Sequence, residues 1–334
     1  MKNIIIFGAT GTVGVYTAIK LKQNGNNVIA VGKRKDDNGF FNDYAIPYFS
    51  VDILNKFDFN ILPQKGIDIV LHFAGAMPAR MKGYNPYVYI ESIITGTLNV
   101  LEFTRTVGAE KIIFTQSISD ILYLFGNTNP ILADVERRFP VKGDHSVYSI
   151  SKNAAVNLIE HYFWQYNINR FILRLPTIYV YHPDPFYYVN GEKRWMGYRY
   201  LINQAIQGKN IELWGNPKSK KEIVYVKDFV QIVEKCVLSN SQGGIYNVGN
   251  GVGITMEEQI LNIIDIFCPE QNKSKIIYRP DLPSSPQFIL DISKTEELGY
   301  VSQFDYKNYL LDFKKEMINE PFWKLWGKYK DFVK

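Results

Sequence analysis

The 334-residue chain is 46% apolar and 21% charged, with a formal charge of +5, a balance that excludes disordered and fibrous classes. Its cations are spread along the sequence, without zinc-finger spacing or an Arg-rich recognition helix, which argues against nucleic-acid binding. Two cysteines, Cys236 and Cys268, exclude a disulfide framework and point to a reducing compartment, the cytoplasm.

Residues 1–8 read MKNIIIFG. The run is too short to cross a membrane, has no cleavage pattern behind it, and reads as a buried strand. Short apolar runs recur at Asn3–Phe7, Asn27–Val31, Ile46–Ser50, Ile67–Phe73, Lys111–Thr115 and Arg170–Leu175. They are continuously rather than alternately apolar, as strands covered on both faces must be. Helix-period segments lie between them at Thr12–Asn24, Pro86–Val107 and Ser146–Tyr166. The alternation predicts an α/β fold: a doubly wound parallel sheet of the Rossmann type.

After about Val180 the rhythm changes. Tyr181–Tyr200 is rich in Tyr, Pro and Gly and reads as a long loop. A helix (Arg199–Gln207), a strand (Ile223–Val226), a helix (Lys227–Ser239) and a strand (Gly244–Val248) follow, then a helix at Thr255–Phe267 with Thr255 as N-cap. The expected organisation is a nucleotide-binding domain over 1–178, rejoined around 223–248, and a smaller substrate-binding α/β region within 179–334. The tail Phe322-Trp-Lys-Leu-Trp-Gly-Lys-Tyr-Lys330 reads as a surface helix packed on the core rather than a membrane or partner dock.

Gly8-Ala-Thr-Gly11-Thr-Val-Gly14 follows the first strand and opens the first helix. Glycine there allows a tight turn, close approach to a pyrophosphate and close helix–strand packing, while the helix N-terminus supplies free N–H groups. The cofactor-binding candidates are Gly8, Thr10, Gly11, Thr12, Val13 and Gly14 in this turn, then Asp52 and Ile53, then Phe73, Ala74 and Gly75, with Leu175, Tyr148 and Lys152 at the far end. An acidic ribose ligand is expected about 20 residues after the glycines, but the sequence there is Val31-Gly-Lys33-Arg34-Lys35. Lys33 and Arg34 are suited to a 2′-phosphate, Arg34 by a two-pronged contact, so NADP is favoured over NAD.

Tyr148 and Lys152 stand at i and i+4 on one helix face. A phenol is a poor base at neutral pH, and a nearby ammonium is expected to lower its pKa so that it can exchange a proton with a substrate hydroxyl. Tyr16 and Lys20 share this spacing, but they lie on the first helix behind the glycine turn. Ser117, at the end of the strand that reads Lys111-Ile-Ile-Phe-Thr115-Gln-Ser117, is the choice for polarising the substrate oxygen, ahead of Thr115 and Ser119. The four histidines lack ligand spacing, so no metal is expected, and His72 reads as a core or cofactor-wall residue.

With these residues placed, the chain resembles the extended short-chain dehydrogenase/reductase family, in particular its nucleotide-sugar epimerases and dehydratases. The resemblance runs through Gly8–Gly14, Asp68–Gly75, Gly96–Glu102, Tyr148–Lys152, Leu173–Tyr179, Ile223–Asp228, Ile245–Gly249 and Asp291–Lys294. It implies a nucleotide-sugar substrate whose diphosphate meets Arg279 and Lys221, with Thr177 near the sugar. It also implies a homodimer through the helices at 86–107 and 146–166. Ile93 stands where Asn is usual and Val180 where Gly is usual, which implies an atypical sugar pocket. Dehydratases carry an Asp-Glu pair after the hydroxyl residue; here Ile118-Ser119 follows Ser117, which disfavours dehydration. The expected activity is 4-epimerisation through a keto intermediate. An NADPH-dependent reductase of a nucleotide-linked keto-sugar is the alternative, and a non-catalytic cofactor-binding regulator is a third reading.

Overall fold

The computed structural model describes residues 1–143, 145–189 and 191–333. Seven strands form one parallel sheet: β1 Asn3–Phe7, β2 Asn27–Gly32, β3 Tyr48–Ser50, β4 Ile69–His72, β5 Lys111–Ser117, β6 Asn169–Leu175 and β7 Gly243–Asn247. Their order is β7-β6-β5-β4-β1-β2-β3. The order reverses between β1 and β4, which opens a crevice at the carboxyl ends of those strands, where ligands bind in such sheets.

Alternate side chains of each strand feed two cores. Ile4, Ile6, Ile69, Leu71, Ile113, Phe171 and Leu173 face one side, and Ile5, Phe7, Val70, Ile112, Phe114 and Ile172 face the other. Each such side chain, fully removed from water, contributes roughly 1.5–3 kcal/mol. Two covered faces explain why these runs are apolar throughout.

The helices Thr12–Gln23 and Ser146–Tyr166 form as expected. The segment read as one helix over 86–107 is instead broken into α-helix Pro86–Tyr89, a π-helical turn Ile90–Thr95 and α-helix Gly96–Thr106. A Cβ on Gly96 would lie 2.5 Å from the Ile53 side chain, so the helix passes tightly over the segment after β3. The wider turn keeps both Tyr89 and Ile93 buried.

The segment 181–200 is not a plain loop. Strands Phe186–Val189 and Glu192–Trp195 pair antiparallel, held by Phe186 against Trp195 at 4.8 Å and by the Arg80–Asp184 ion pair at 3.2 Å. The helix after it starts at Gly197. Alternation was hidden here because aromatic residues occupy both faces of the hairpin. The Thr255 N-cap forms with a full capping box to Glu258. In the tail, a short helix Trp323–Trp326 buries Leu325 and Trp326. No helix of the described residues is long and apolar enough to cross a membrane.

A buried ionic knot ties the sheet to the later chain. Arg174 at the end of β6 and Asp120 are both fully enclosed and lie 3.0 Å apart. The Arg174 guanidinium also donates to the Ala133 carbonyl at 2.8 Å and to Asn247 Oδ1 at 3.1 Å.

Candidate active site

The glycine turn is built as the sequence requires. Gly8 has φ of +85°, and a Cβ there would meet the Ala74 backbone nitrogen at 2.6 Å. A Cβ on Gly14 would fall 2.2 Å from the Gly8 carbonyl oxygen. The helix behind them is capped by Gly11 with no side-chain hydrogen bond, leaving the first N–H groups, those of Thr12, Val13 and Gly14, without helical partners. A cradle that any Cβ would fill, ending in unpaired donors, fits a dinucleotide pyrophosphate.

Phe73, Ala74 and Gly75 follow β4 beside this turn. Phe73 packs on Phe229 at 5.8 Å, and a Cβ on Gly75 would sit 3.3 Å from Ile93. Asp52 forms an ion pair with Lys33 at 2.8 Å, and the Ile53 carbonyl accepts from Asn99 at 2.8 Å. Leu175 is in register with Ser117 across β5 and β6.

The basic stretch after β2 is engaged differently from the sequence-based expectation. Lys33 pairs with Asp52, and the Arg34 guanidinium donates to the Leu325 carbonyl of the tail. Arg34, expected to make a two-pronged 2′-phosphate contact, spends one guanidinium N–H on a contact within the protein.

Ser117, Tyr148 and Lys152 converge at the carboxyl end of β5. The Ser117 backbone is fixed by the Gln116 side chain at 2.9 Å, and its hydroxyl accepts from the Ser119 N–H at 3.1 Å. Burial pushes the Tyr148 phenol up to about 12, opposed by a hydrogen bond from Ser117 that favours the phenolate. Burial brings Lys152 down to about 7. Its ammonium donates to the Thr115 carbonyl at 2.7 Å and lies 4.6 Å from the centre of the Phe114 ring. The expected lowering of the phenol by the ammonium is therefore corrected: desolvation dominates, and Lys152 is directed at Thr115.

Two further neighbours, Tyr89 and Asn153, were not visible in the sequence. The Tyr89 ring meets Tyr148 edge-on at 6.0 Å, reached through the π-helical turn. Asn153 lies 3.4 Å from Gln116 and accepts from Arg137 at 3.3 Å. His72, expected in the core or cofactor wall, is fully buried and held 2.9 Å from Thr97 Oγ1. Burial, and secondarily the Lys152 charge, take His72 down to about 3.

Tyr16 is not a second catalytic candidate, because it is buried and hydrogen-bonds Glu316. The residues carried over for substrate have partners of their own. Arg279 is engaged by Asp281 at 2.9 Å and Glu212 at 3.1 Å. Lys221 lies on a strand paired with Gly253–Thr255, and burial holds its ammonium below the usual lysine range. Thr177 is exposed just beyond β6. Among the described residues, no group of three or more His, Cys, Asp or Glu side chains is arranged to hold a metal ion.

Residues 4–249 match the model of the NAD dependent epimerase/dehydratase family. The chain belongs to that family. It is therefore an NAD-dependent enzyme of the epimerase and oxidoreductase type. Among relatives of this family, a putative UDP-glucose 4-epimerase of Methanocaldococcus jannaschii is 25% identical over 91% of this chain and 94% of its own. A UDP-glucuronate 4-epimerase of Thermodesulfobacterium geofontis is 24% identical over 89% of this chain and 90% of its own. Among solved family folds, a mutant UDP-glucuronic acid 4-epimerase from Bacillus cereus, in complex with NAD and UDP-4-deoxy-4-fluoro-glucuronic acid, superposes with a TM-score of 0.73 at 20% identity, over 95% of this chain and 100% of that one.

Proposed function

We propose that this family member is a nucleotide-sugar 4-epimerase that uses retained NAD. The observation that carries the reading is the convergence of Ser117, Tyr148 and Lys152 at the end of β5, without the acidic pair of a dehydratase after Ser117. In this reading Ser117 donates to the oxygen on the reacting sugar carbon. Tyr148 takes the hydroxyl proton and later returns it to the same oxygen. Lys152, bonded to the Thr115 carbonyl, holds the Tyr148 helix against β5. When bound, NAD would supply the hydride acceptor and donor.

Gly8–Gly14, Asp52, Phe73–Gly75 and Leu175 would hold the dinucleotide. Lys221, Arg279 and Thr177 are proposed to meet the nucleoside diphosphate and sugar; Arg279 would have to exchange a carboxylate partner for phosphate. The favoured cofactor is revised from NADP to NAD, because Arg34 already donates to the Leu325 carbonyl and the similar solved epimerase binds NAD. The same two observations speak against an NADPH-dependent keto-sugar reductase. A homodimer through the helices at 86–106 and 146–166 is proposed, since Tyr87, Ile90, Leu98, Ile150 and Trp164 are exposed there.

The test is turnover of UDP-sugars that differ at C4, with no cofactor added after dialysis. Interconversion by the wild type, and its loss in Tyr148→Phe with bound nucleotide retained, is the expected result. Stoichiometric consumption of NADPH, or substantial turnover by Tyr148→Phe, overturns the proposal.

A further inference from the structure

The tail lies against the cofactor turn. The Trp326 indole N–H donates to the Thr10 carbonyl at 2.9 Å. On the opposite edge of that peptide, the Gly11 N–H donates to the Gly8 carbonyl at 3.0 Å. The Thr10–Gly11 peptide plane is thus pinned from both sides. Thr10 also rests on Gly32 at the end of β2, where a Cβ would meet the Thr10 side chain at 2.9 Å.

The same tail holds the loop after β2. Leu325 accepts from the Arg34 guanidinium, and the Arg34 carbonyl accepts from Tyr48 Oη at 2.6 Å. The Lys324 carbonyl accepts from Asn38 at 2.8 Å, and its ammonium pairs with Asp43 at 2.6 Å. Phe322 anchors the segment between Tyr16, at 4.7 Å, and Phe40, at 5.9 Å. His182 stacks on Trp326 at 4.7 Å. Trp326 is 6% and Leu325 2% exposed, so these contacts are packed rather than incidental.

We infer that Phe322–Trp326 is a positioning element of the dinucleotide site, setting cofactor affinity through Thr10 and cofactor choice through Arg34. A peptide fixed before ligand arrives need not be ordered on binding, which raises affinity. The exposed Arg34 guanidinium must give up or share its bond to the Leu325 carbonyl to take a 2′-phosphate, which lowers affinity for NADP alone. The inference rests on the proposed dinucleotide role of the glycine turn. Binding reciprocity adds a second consequence: if the tail strengthens cofactor binding, cofactor must strengthen the tail.

The experiment measures NAD and NADP affinity by fluorescence titration of the full chain stripped of bound nucleotide, with melting temperature recorded alongside. Trp326→Phe keeps an aromatic ring but removes the donor; NAD affinity of the folded protein is expected to fall about two- to tenfold, the worth of one hydrogen bond, with kcat at saturating NAD unchanged. Arg34→Ala is expected to weaken NAD and NADP by the same factor. Hydrogen exchange of the wild type with saturating NAD is expected to show added protection at 320–333 as well as 8–14. Unchanged NAD affinity in Trp326→Phe, a selective loss of NADP in Arg34→Ala, or tail exchange indifferent to NAD overturns the inference. Should the wild type bind neither nucleotide, the reading of the glycine turn fails instead.

Discussion

Replacing Lys152 with methionine tests whether the candidate site holds a charge at the expense of the fold. Lys152 is 7% exposed, and burial takes its ammonium from 10.5 to about 7. At about 1.4 kcal/mol per pH unit, that fall corresponds to about 5 kcal/mol against the folded state when both states are protonated. The sign follows from proton linkage. Below about pH 7 the folded and unfolded chains both carry the proton, and the folded state bears the full penalty. Between about pH 7 and 10.5 the unfolded chain binds more protons than the folded one, so wild-type stability rises with pH.

Methionine removes the charge but leaves the Thr115 carbonyl, bonded at 2.7 Å in the wild type, without its donor. That omission costs about 1–3 kcal/mol. Lys152→Met is therefore expected to be more stable than the wild type by about 2–4 kcal/mol near pH 6. The advantage should vanish or reverse near pH 10. Urea unfolding of cofactor-stripped protein at about pH 6, 8 and 10 reads this directly. Destabilisation at pH 6, or curves that stay parallel across the range, would refute the claim of a buried, weakly compensated ammonium.

Asp120→Asn should cost about 3–5 kcal/mol in chemical denaturation, because it leaves the enclosed Arg174 charge without its counter-ion. Gly14→Ala should abolish dinucleotide binding in equilibrium titration, since its Cβ would fall 2.2 Å from the Gly8 oxygen; near-normal affinity would mean the turn is not the phosphate cradle. Ser117→Ala should lower kcat about 100-fold or more while retaining bound cofactor, and a rate within a few-fold of wild type would remove Ser117 from the reaction.

The sheet was legible because its strands are covered on both faces, which leaves continuous apolar runs such as Ile4-Ile5-Ile6-Phe7, and because glycine marks the one sharp turn a pyrophosphate needs. The pairing of Tyr148 with Lys152 could be read from helical spacing. What spacing does not carry is where an ammonium turns once buried: Lys152 faces Thr115, and desolvation sets both pKa values. Arg34 is a related case. A cation beside a nucleotide turn reads as a phosphate ligand until the chain some 291 residues away is seen to supply a carbonyl. Asp120 and Arg174, at unremarkable positions in the sequence, became an enclosed pair only through the topology that brings β5 and β6 together.

The bond between Thr10 and Trp326 joins groups 316 positions apart. At roughly 5–20 residues per second of synthesis, the nascent glycine turn waits about 15–60 s before the indole that braces it has been made. During that interval the apolar pocket between Tyr16 and Phe40, later filled by Phe322, is open to water and to other chains.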